Sequence, residues 1–224
     1  MARFTRIDVI SKMREAGIVP IFYHKNQEVC KNVIKACYDG GIKVFEFTNR
    51  GDFANELFSD LNKWAEKNVP GMVMGTGSVV DAGTASLYLQ LGANFIVSPI
   101  LNPEIAKVCN RRKIMWIPGC GSLTEISYAE ELGAEIVKIF PGFSLGGPDF
   151  VKAIKGPCPW TSIMPTGGVE PNLENLRDWF SAGVTCVGIG SNLITKELVQ
   201  KKDWTGLTKR VTAAVKIARM FMME

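Results

Sequence analysis

The stretch LTEISYAEELGAEIVKIFP, residues 123–141, decides how this chain is read. Its first half, 123–133, carries apolar residues at helical spacing and stops at Gly133, as a glycine C-cap would. Its second half, EIVKIFP, is a short continuous apolar run closed by a proline. A run that is apolar throughout, without alternation, fits a parallel-sheet strand buried on both faces. Lys138 is out of place in it, because an unpaired buried ammonium is costly. Either the lysine is paired, or it reaches the strand's open end, or it is used while neutral as an amine nucleophile, the chemistry of Schiff-base enzymes.

The same helix–glycine–strand unit recurs on both sides. Apolar strand candidates are GIVPIFY (17–23), IKVFEFT (42–48), GMVMGTG (71–77), ANFIVSP (93–99), IMWIPG (114–119), EIVKIFP (135–141), SIMPTGG (162–168) and TCVGIGS (185–191), eight in all. Helical segments separate them, among them 26–40, 81–92, 123–133 and 172–183. Strict alternation of this kind predicts an α/β fold with a parallel sheet. Eight units over about 200 residues fit a closed (β/α)8 TIM barrel better than an open doubly wound sheet. A first helix, at about 5–16, precedes the first strand and is placed to plug the barrel bottom. A last helix, 205–223, packs outside. No composition shift or long linker divides the chain, so residues 1–224 are read as a single domain.

Composition removes several function classes. The net charge is +4 with scattered basic residues, and the densest cluster, Arg111, Arg112 and Lys113, reads as a solvated turn. No basic stripe interleaves with aromatics, so no nucleic-acid partner is expected. No apolar run nears the roughly 18 residues of a membrane span, and the N-terminus lacks a signal peptide's apolar core. The reading is a cytoplasmic protein with no membrane partner. The six cysteines form no CxxC pair and suit reduced core positions, Cys120 as a small residue filling a turn. His24 is the only histidine, which argues against zinc and against any site needing two histidines. It is read as part of a solvated loop after the first strand, with a substrate contact at the rim as the alternative.

In such a barrel the site lies at the C-terminal ends of the strands. The second strand supplies Glu46, Thr48 and Arg50, which share parity and so share a face. Glu46 is as anomalous in KVFEFT as Lys138 is in IVKIF. The two either form a structural salt bridge or face inward as a pair that tunes one another. The third strand supplies Gly75, Thr76, Gly77 and Ser78. After the seventh and eighth strands, PTGGV and GIGS put glycines and free N–H groups where such barrels commonly cradle a phosphate. A lysine that condenses with a ketone, a carboxylate that shuttles protons, Arg50 with Thr76 for a small carboxylate and glycine loops for a phosphate describe a class I aldolase. Its substrate is a phosphorylated 2-keto acid, and the iminium is the electron sink, so neither cofactor nor metal is called for.

On these residues the chain resembles the bacterial 2-keto-3-deoxy-6-phosphogluconate (KDPG) and 4-hydroxy-2-oxoglutarate (KHG) aldolase family. The motifs are GIKVFEFTNR (41–50), GTGSV (75–79), ANFIVSP (93–99), IPG (117–119), VKIFPG (137–142) and PTGGV (165–169), in that order over nearly the whole chain. The resemblance implies a Schiff-base lysine at Lys138 and a proton-transferring Glu46. It further implies pyruvate-carboxylate contacts from Arg50 and Thr76, a site lined by Thr166 and shaped by Phe140 and Pro99, and phosphate on Gly167, Gly168 and Ser191. It also implies pyruvate and a phosphorylated 2-keto acid as small-molecule partners, a homotrimer, and a place in Entner–Doudoroff carbohydrate metabolism. The chain departs from the family's pattern at Gly51, at Ile100 and in the loop GCGS (119–122), all at the pocket rim, which leaves the substrate open among KDPG, KHG and the galactonate epimer of KDPG. A phosphometabolite-binding barrel without catalysis is the reading from a different class. It leaves Glu46 and Lys138 without a purpose.

Overall fold

A computed structural model describes residues 3–222; the ends of the single-domain reading, residues 1, 2, 223 and 224, lie outside the described residues. The unit at 123–141 folds as its sequence reads. Helix α6 spans Leu123–Glu131, capped by Ser122, whose side chain accepts from the Glu125 N–H. Gly133 then adopts φ +88°. Its N–H donates to Glu130 O at 2.9 Å, and the Ala134 N–H donates to Ala129 O at 3.0 Å. This left-handed turn, which glycine enters without the Cβ penalty, redirects the chain into strand β7, Val137–Ile139.

Around it lie helices α1 (Arg6–Ala16), α2 (Gln27–Asp39), α3 (Ala54–Asn68), α4 (Ala82–Gln90) and α5 (Pro103–Arg111) on the N-terminal side. On the C-terminal side lie α7 (Gly147–Lys155), α8 (Leu173–Ser181), α9 (Lys196–Gln200) and α10 (Trp204–Phe221), whose sequence-read end, residue 223, is outside the described residues. The remaining strands are β1 (Ile18–Phe22), β2 (Val44–Thr48), β3 (Val73–Gly77), β4 (Phe95–Val97), β5 (Met115–Ile117), β6 (Gly119–Cys120), β8 (Ile163–Pro165) and β9 (Val187–Ile189). The fifth apolar run is thus two strands where one was expected. Pro118 between β5 and β6 has no N–H to give a ladder, so the pairing breaks there.

All strand pairs are parallel. They form a six-stranded sheet in the order β5-β4-β3-β2-β1-β9 and a three-stranded sheet, β6-β7-β8. The result is a curled parallel sheet with helices on its outer face. Phe47 shows which face is outer: its ring lies 5.8 Å from that of Phe58 on α3, which in turn lies 5.3 Å from Tyr88 on α4. Strand residues alternate, so Glu46 and Thr48 point the other way, into the curl. No helix among the described residues is long and apolar enough to cross a membrane.

The end of the sheet opposite the strand C-termini is tied by polar groups. Arg6, on α1, donates to Ile114 O at 2.9 Å and to Glu135 at 3.2 Å, ahead of β5 and β7. Buried Asn94, ahead of β4, accepts from the N–H groups of Arg3 and Phe4 at 3.0 and 3.2 Å and donates to Met74 O at 3.1 Å. Replacing this side chain by an apolar one strands the part-buried N–H groups of Arg3 and Phe4. Asn94→Leu is expected to cost about 2–4 kcal/mol of stability, seen as a lower denaturant midpoint, with kcat unchanged.

Candidate active site

Register fixes what each strand end presents. Glu46 pairs with Ile21 on β1 and Gly75 on β3. Neighbours in register share a face, so all three belong to the interior. The interior is kept open by missing side chains: a Cβ on Gly75 would fall on the Phe95 ring, and one on Gly77 would fall on Glu46 Oε1. Glu46 is 1% exposed, and its Oε2 has no hydrogen-bond partner. Burial pushes its carboxyl above the ordinary glutamate range, while the positive charges of Lys138 and then Arg50 pull it part of the way back. The three groups therefore share one electrostatic environment.

Lys138 is in register with Gly119 and Met164 on the neighbouring strands and is 6% exposed. Its Nζ lies 5.1 Å from the centroid of the Phe140 ring. Phe140, two residues on, lines a cavity at the strand mouths, whereas Lys138 and Glu46 themselves do not, so the Phe140 ring connects the amine to that space. Pro99 does not line the cavity. Its carbonyl group instead lies where a Gly119 side chain would be, one strand from Lys138.

The cavity has a volume of about 650 Å³ and opens at the C-terminal ends of β1, β2, β8 and β9. Thr48, Arg50, Phe140, Thr166, Gly167, Gly168 and Ser191 line it, so most of the sequence-selected residues meet in one place. Its lining contains no carboxylate, and it contains two permanent cations, Arg50 and Lys196. Consecutive left-handed glycines, Gly167 (φ +92°) and Gly168 (φ +78°), form its wall. That turn is held by the Gly142 N–H donating to Thr166 O at 2.8 Å and the Phe143 N–H donating to Gly167 O at 3.0 Å. The N–H groups of Gly168, Ser191 and Asn192 donate to no acceptor among the described residues. A wall of unspent backbone donors is suited to a tetrahedral anion.

Thr76 requires a correction. It pairs with Phe47 and Ile96, on the helix side of the sheet, and is fully buried with its hydroxyl unpartnered. It cannot reach a ligand beside Arg50. Ser78 takes that place: its Oγ accepts from Arg50 Nε at 3.3 Å. The sequence places both residues in GTGSV, and only the strand register distinguishes them. His24 is also corrected. It lines the cavity and is not merely part of a solvated loop. Lys196, the other residue missed, lies beyond the eighth apolar run in a segment with no motif of its own. Cys120 is buried in β6, and burial pushes its thiol up to about 12, in keeping with a packed small residue.

A parallel α/β sheet that keeps a buried amine and an unpartnered carboxyl together at the mouth of its strands has the makings of an aldolase, a carbon–carbon lyase. Known proteins agree. The family model "KDPG and KHG aldolase" matches residues 9–210. The 2-dehydro-3-deoxy-phosphogluconate aldolase of Haemophilus influenzae is 31% identical over 216 residues, 96% of this chain and 99% of that one. The KHG/KDPG aldolase of Escherichia coli K12 is 30% identical over 204 residues, 91% of this chain and 92% of its own length. A crystal structure of KDPG aldolase from Legionella pneumophila, with pyruvate captured at low pH as a covalent carbinolamine, superposes with a TM-score of 0.83. It is 27% identical and covers 92% of this chain and 97% of its own. The chain belongs to the KDPG and KHG aldolase family.

The raised Glu46 carboxyl has a thermodynamic consequence. A group whose folded-state pKa lies above its unfolded value costs stability once pH exceeds that unfolded value, increasingly until the folded pKa is passed. Glu46→Gln, which keeps the shape and removes the charge, is expected to stabilise the fold by about 1–2 kcal/mol at neutral pH. The gain should shrink to nothing as pH falls below the ordinary glutamate value, which denaturation series at several pH values would read.

Proposed function

We propose that the chain is a class I aldolase that cleaves 2-dehydro-3-deoxy-6-phosphogluconate to pyruvate and glyceraldehyde 3-phosphate through an imine on Lys138. The observation that carries this is the buried Glu46 carboxyl without a hydrogen-bond partner, within the field of a buried lysine. The neutral Lys138 amine adds to the C2 ketone, and the carbinolamine loses water to give an iminium. Glu46, directly or through a water, removes the proton of the C4 hydroxyl. The C3–C4 bond breaks, its electron pair flows into the iminium, and the aldehyde departs. The resulting enamine is protonated at C3, and water releases pyruvate and the free amine. The iminium receives the electron pair, so this chemistry calls for neither metal nor cofactor.

Arg50 and Ser78 are placed to hold the keto-acid carboxylate. The free N–H groups of Gly168 and Ser191 suit the phosphate, Gly167 leaves room for its approach, and Lys196 adds positive charge on that side. Thr166 lines the space between, while Phe140 and Pro99 shape the surroundings of the amine. KHG, the unphosphorylated substrate named for the E. coli relative, ends in a carboxylate on its hydroxyl-bearing carbon, so it stops short of the glycine loops that suit the phosphate. The galactonate epimer differs only at a hydroxyl.

The family's closed eight-stranded barrel is the natural completion of the sheet. β5 and β6 are separated by Pro118 alone, and a parallel bridge joins Thr166 to Gly188 between β8 and β9. One such domain, assembled as a cytoplasmic homotrimer, is the assembly we propose. Exposed Leu87, Ile100, Leu123 and Tyr128 supply apolar surface for it, and six free cysteines suit a reducing compartment.

Borohydride reduction in the presence of pyruvate should fix a covalent adduct on Lys138, located by peptide mass analysis. No adduct at saturating pyruvate would sink the mechanism. Lys138→Ala should lose cleavage by at least about 10³-fold and Glu46→Gln by about 10²–10⁴-fold, the latter with imine trapping retained. Arg50→Met should raise KM for the keto acid, as steady-state kinetics would read, by about 10–100-fold, the worth of a charge-assisted contact.

A further inference from the structure

We propose that His24 is a specificity-determining residue: its Nε2–H donates a hydrogen bond to the substrate hydroxyl that lies between the reacting carbon and the phosphate. This rests on the aldolase reading above and extends it to a group outside the family-derived site.

The first argument is position. His24 follows β1, and β1 lies between β2 and β9 in the sheet. The exit of β2 carries Arg50, at the carboxylate end, and the exit of β9 carries Ser191, at the phosphate end. A ligand held at both ends must pass His24, which lines the same cavity as Arg50 and Ser191. What passes there in a phosphorylated 2-keto-3-deoxy acid is its hydroxylated middle.

The second argument is orientation. The Asn26 N–H donates to His24 Nδ1 at 3.0 Å. A nitrogen that accepts this bond carries no proton, so the neutral ring holds its proton on Nε2. The ring lies parallel to that of Phe22, with centroids 6.4 Å apart and planes within 4°. The His24 carbonyl is held in turn by the Cys30 thiol at 3.1 Å. Backbone, tautomer and ring plane are thus set before any ligand arrives, as a donor that discriminates must be. A hydroxyl-reading donor rejects a ligand lacking that hydroxyl, because the polar group is then left unpaired.

The test runs the reaction in the condensation direction, with pyruvate and two acceptors. One is glyceraldehyde 3-phosphate. The other is 3-oxopropyl phosphate, the same aldehyde without the hydroxyl. His24→Leu should lower kcat/KM for the first by about tenfold or more and leave the second within about twofold. His24→Gln, which keeps a donor, should recover part of the loss. Borohydride trapping of pyruvate on Lys138 checks that each variant folds with a working amine, and His24→Gln serves if His24→Leu does not fold. Equal losses for both acceptors in trapping-competent variants would overturn the role of His24 and leave the aldolase reading standing. Failure of wild-type protein to trap pyruvate would overturn both.

Discussion

A carboxyl group enclosed in a protein without a hydrogen-bond partner is costly, and the arrangement around Glu46 exists to tolerate one. Its Oε1 occupies the space that a side chain at position 77 would take, and its Oε2 is bonded to nothing. A structural salt bridge, the plainer explanation of a glutamate and a lysine in apolar strands, would have closed to contact distance and used the carboxylate oxygens. Here Lys138 and Arg50 act on Glu46 through their charge while its carboxyl remains available. That distinction separates a proton-transfer group from a strut. Desolvation and charge oppose one another at Glu46, so its proton affinity is set by balance, which suits a group that must both take and return a proton.

The rest of the mouth follows from the need to bring a molecule with an anionic group at each end to that pair. An acid-free lining, cations at Arg50 and Lys196, and donors left unspent by the backbone act on the two ends of such a molecule. Binding energy gathered at those remote ends can be used to place the ketone against the Lys138 amine. The glycines of the turn serve the geometry. Gly168 cannot carry a Cβ, because the Phe143 side chain fills that place, and its left-handed φ is open chiefly to glycine.

Much of this was legible in the sequence. The repeat of helix, glycine and apolar run declares a parallel α/β fold, and every run holds a strand, the fifth being split into two. Lys138 and Glu46 announce themselves because a charge in such a run breaks the pattern. Thr76 illustrates the limit. In a strand buried on both faces, MVMGTG offers no alternation to show which residues look inward, so parity had no anchor. Only the register to β2, where Phe47 commits one face to the helices, sends Thr76 outward. Pro118 could have warned of the break between β5 and β6. His24 reaches the cavity from a loop and Lys196 from the first turn of the five-residue α9, segments placed by the assembled fold that leave no periodic trace.

The two ends of the sheet divide stability from function. At the end that α1 covers, hydrogen bonds tie groups distant in the chain: Asn94 binds the backbone of Arg3 and Phe4, and Arg6 reaches Ile114 and Glu135, although Glu135 Oε2 and Thr161 Oγ1 stay buried without partners. At the other end Glu46 Oε2 and Thr166 Oγ1 are buried without partners, and the N–H groups of the glycine loops are unspent. Each buried group left without a partner there weakens the fold by roughly 1–3 kcal/mol, comparable with what one well-satisfied buried side chain at the far end supplies. Unmet polar groups gathered around the mouth of the strands are what a binding site requires, because a ligand gains most where the protein has left its own groups unmet.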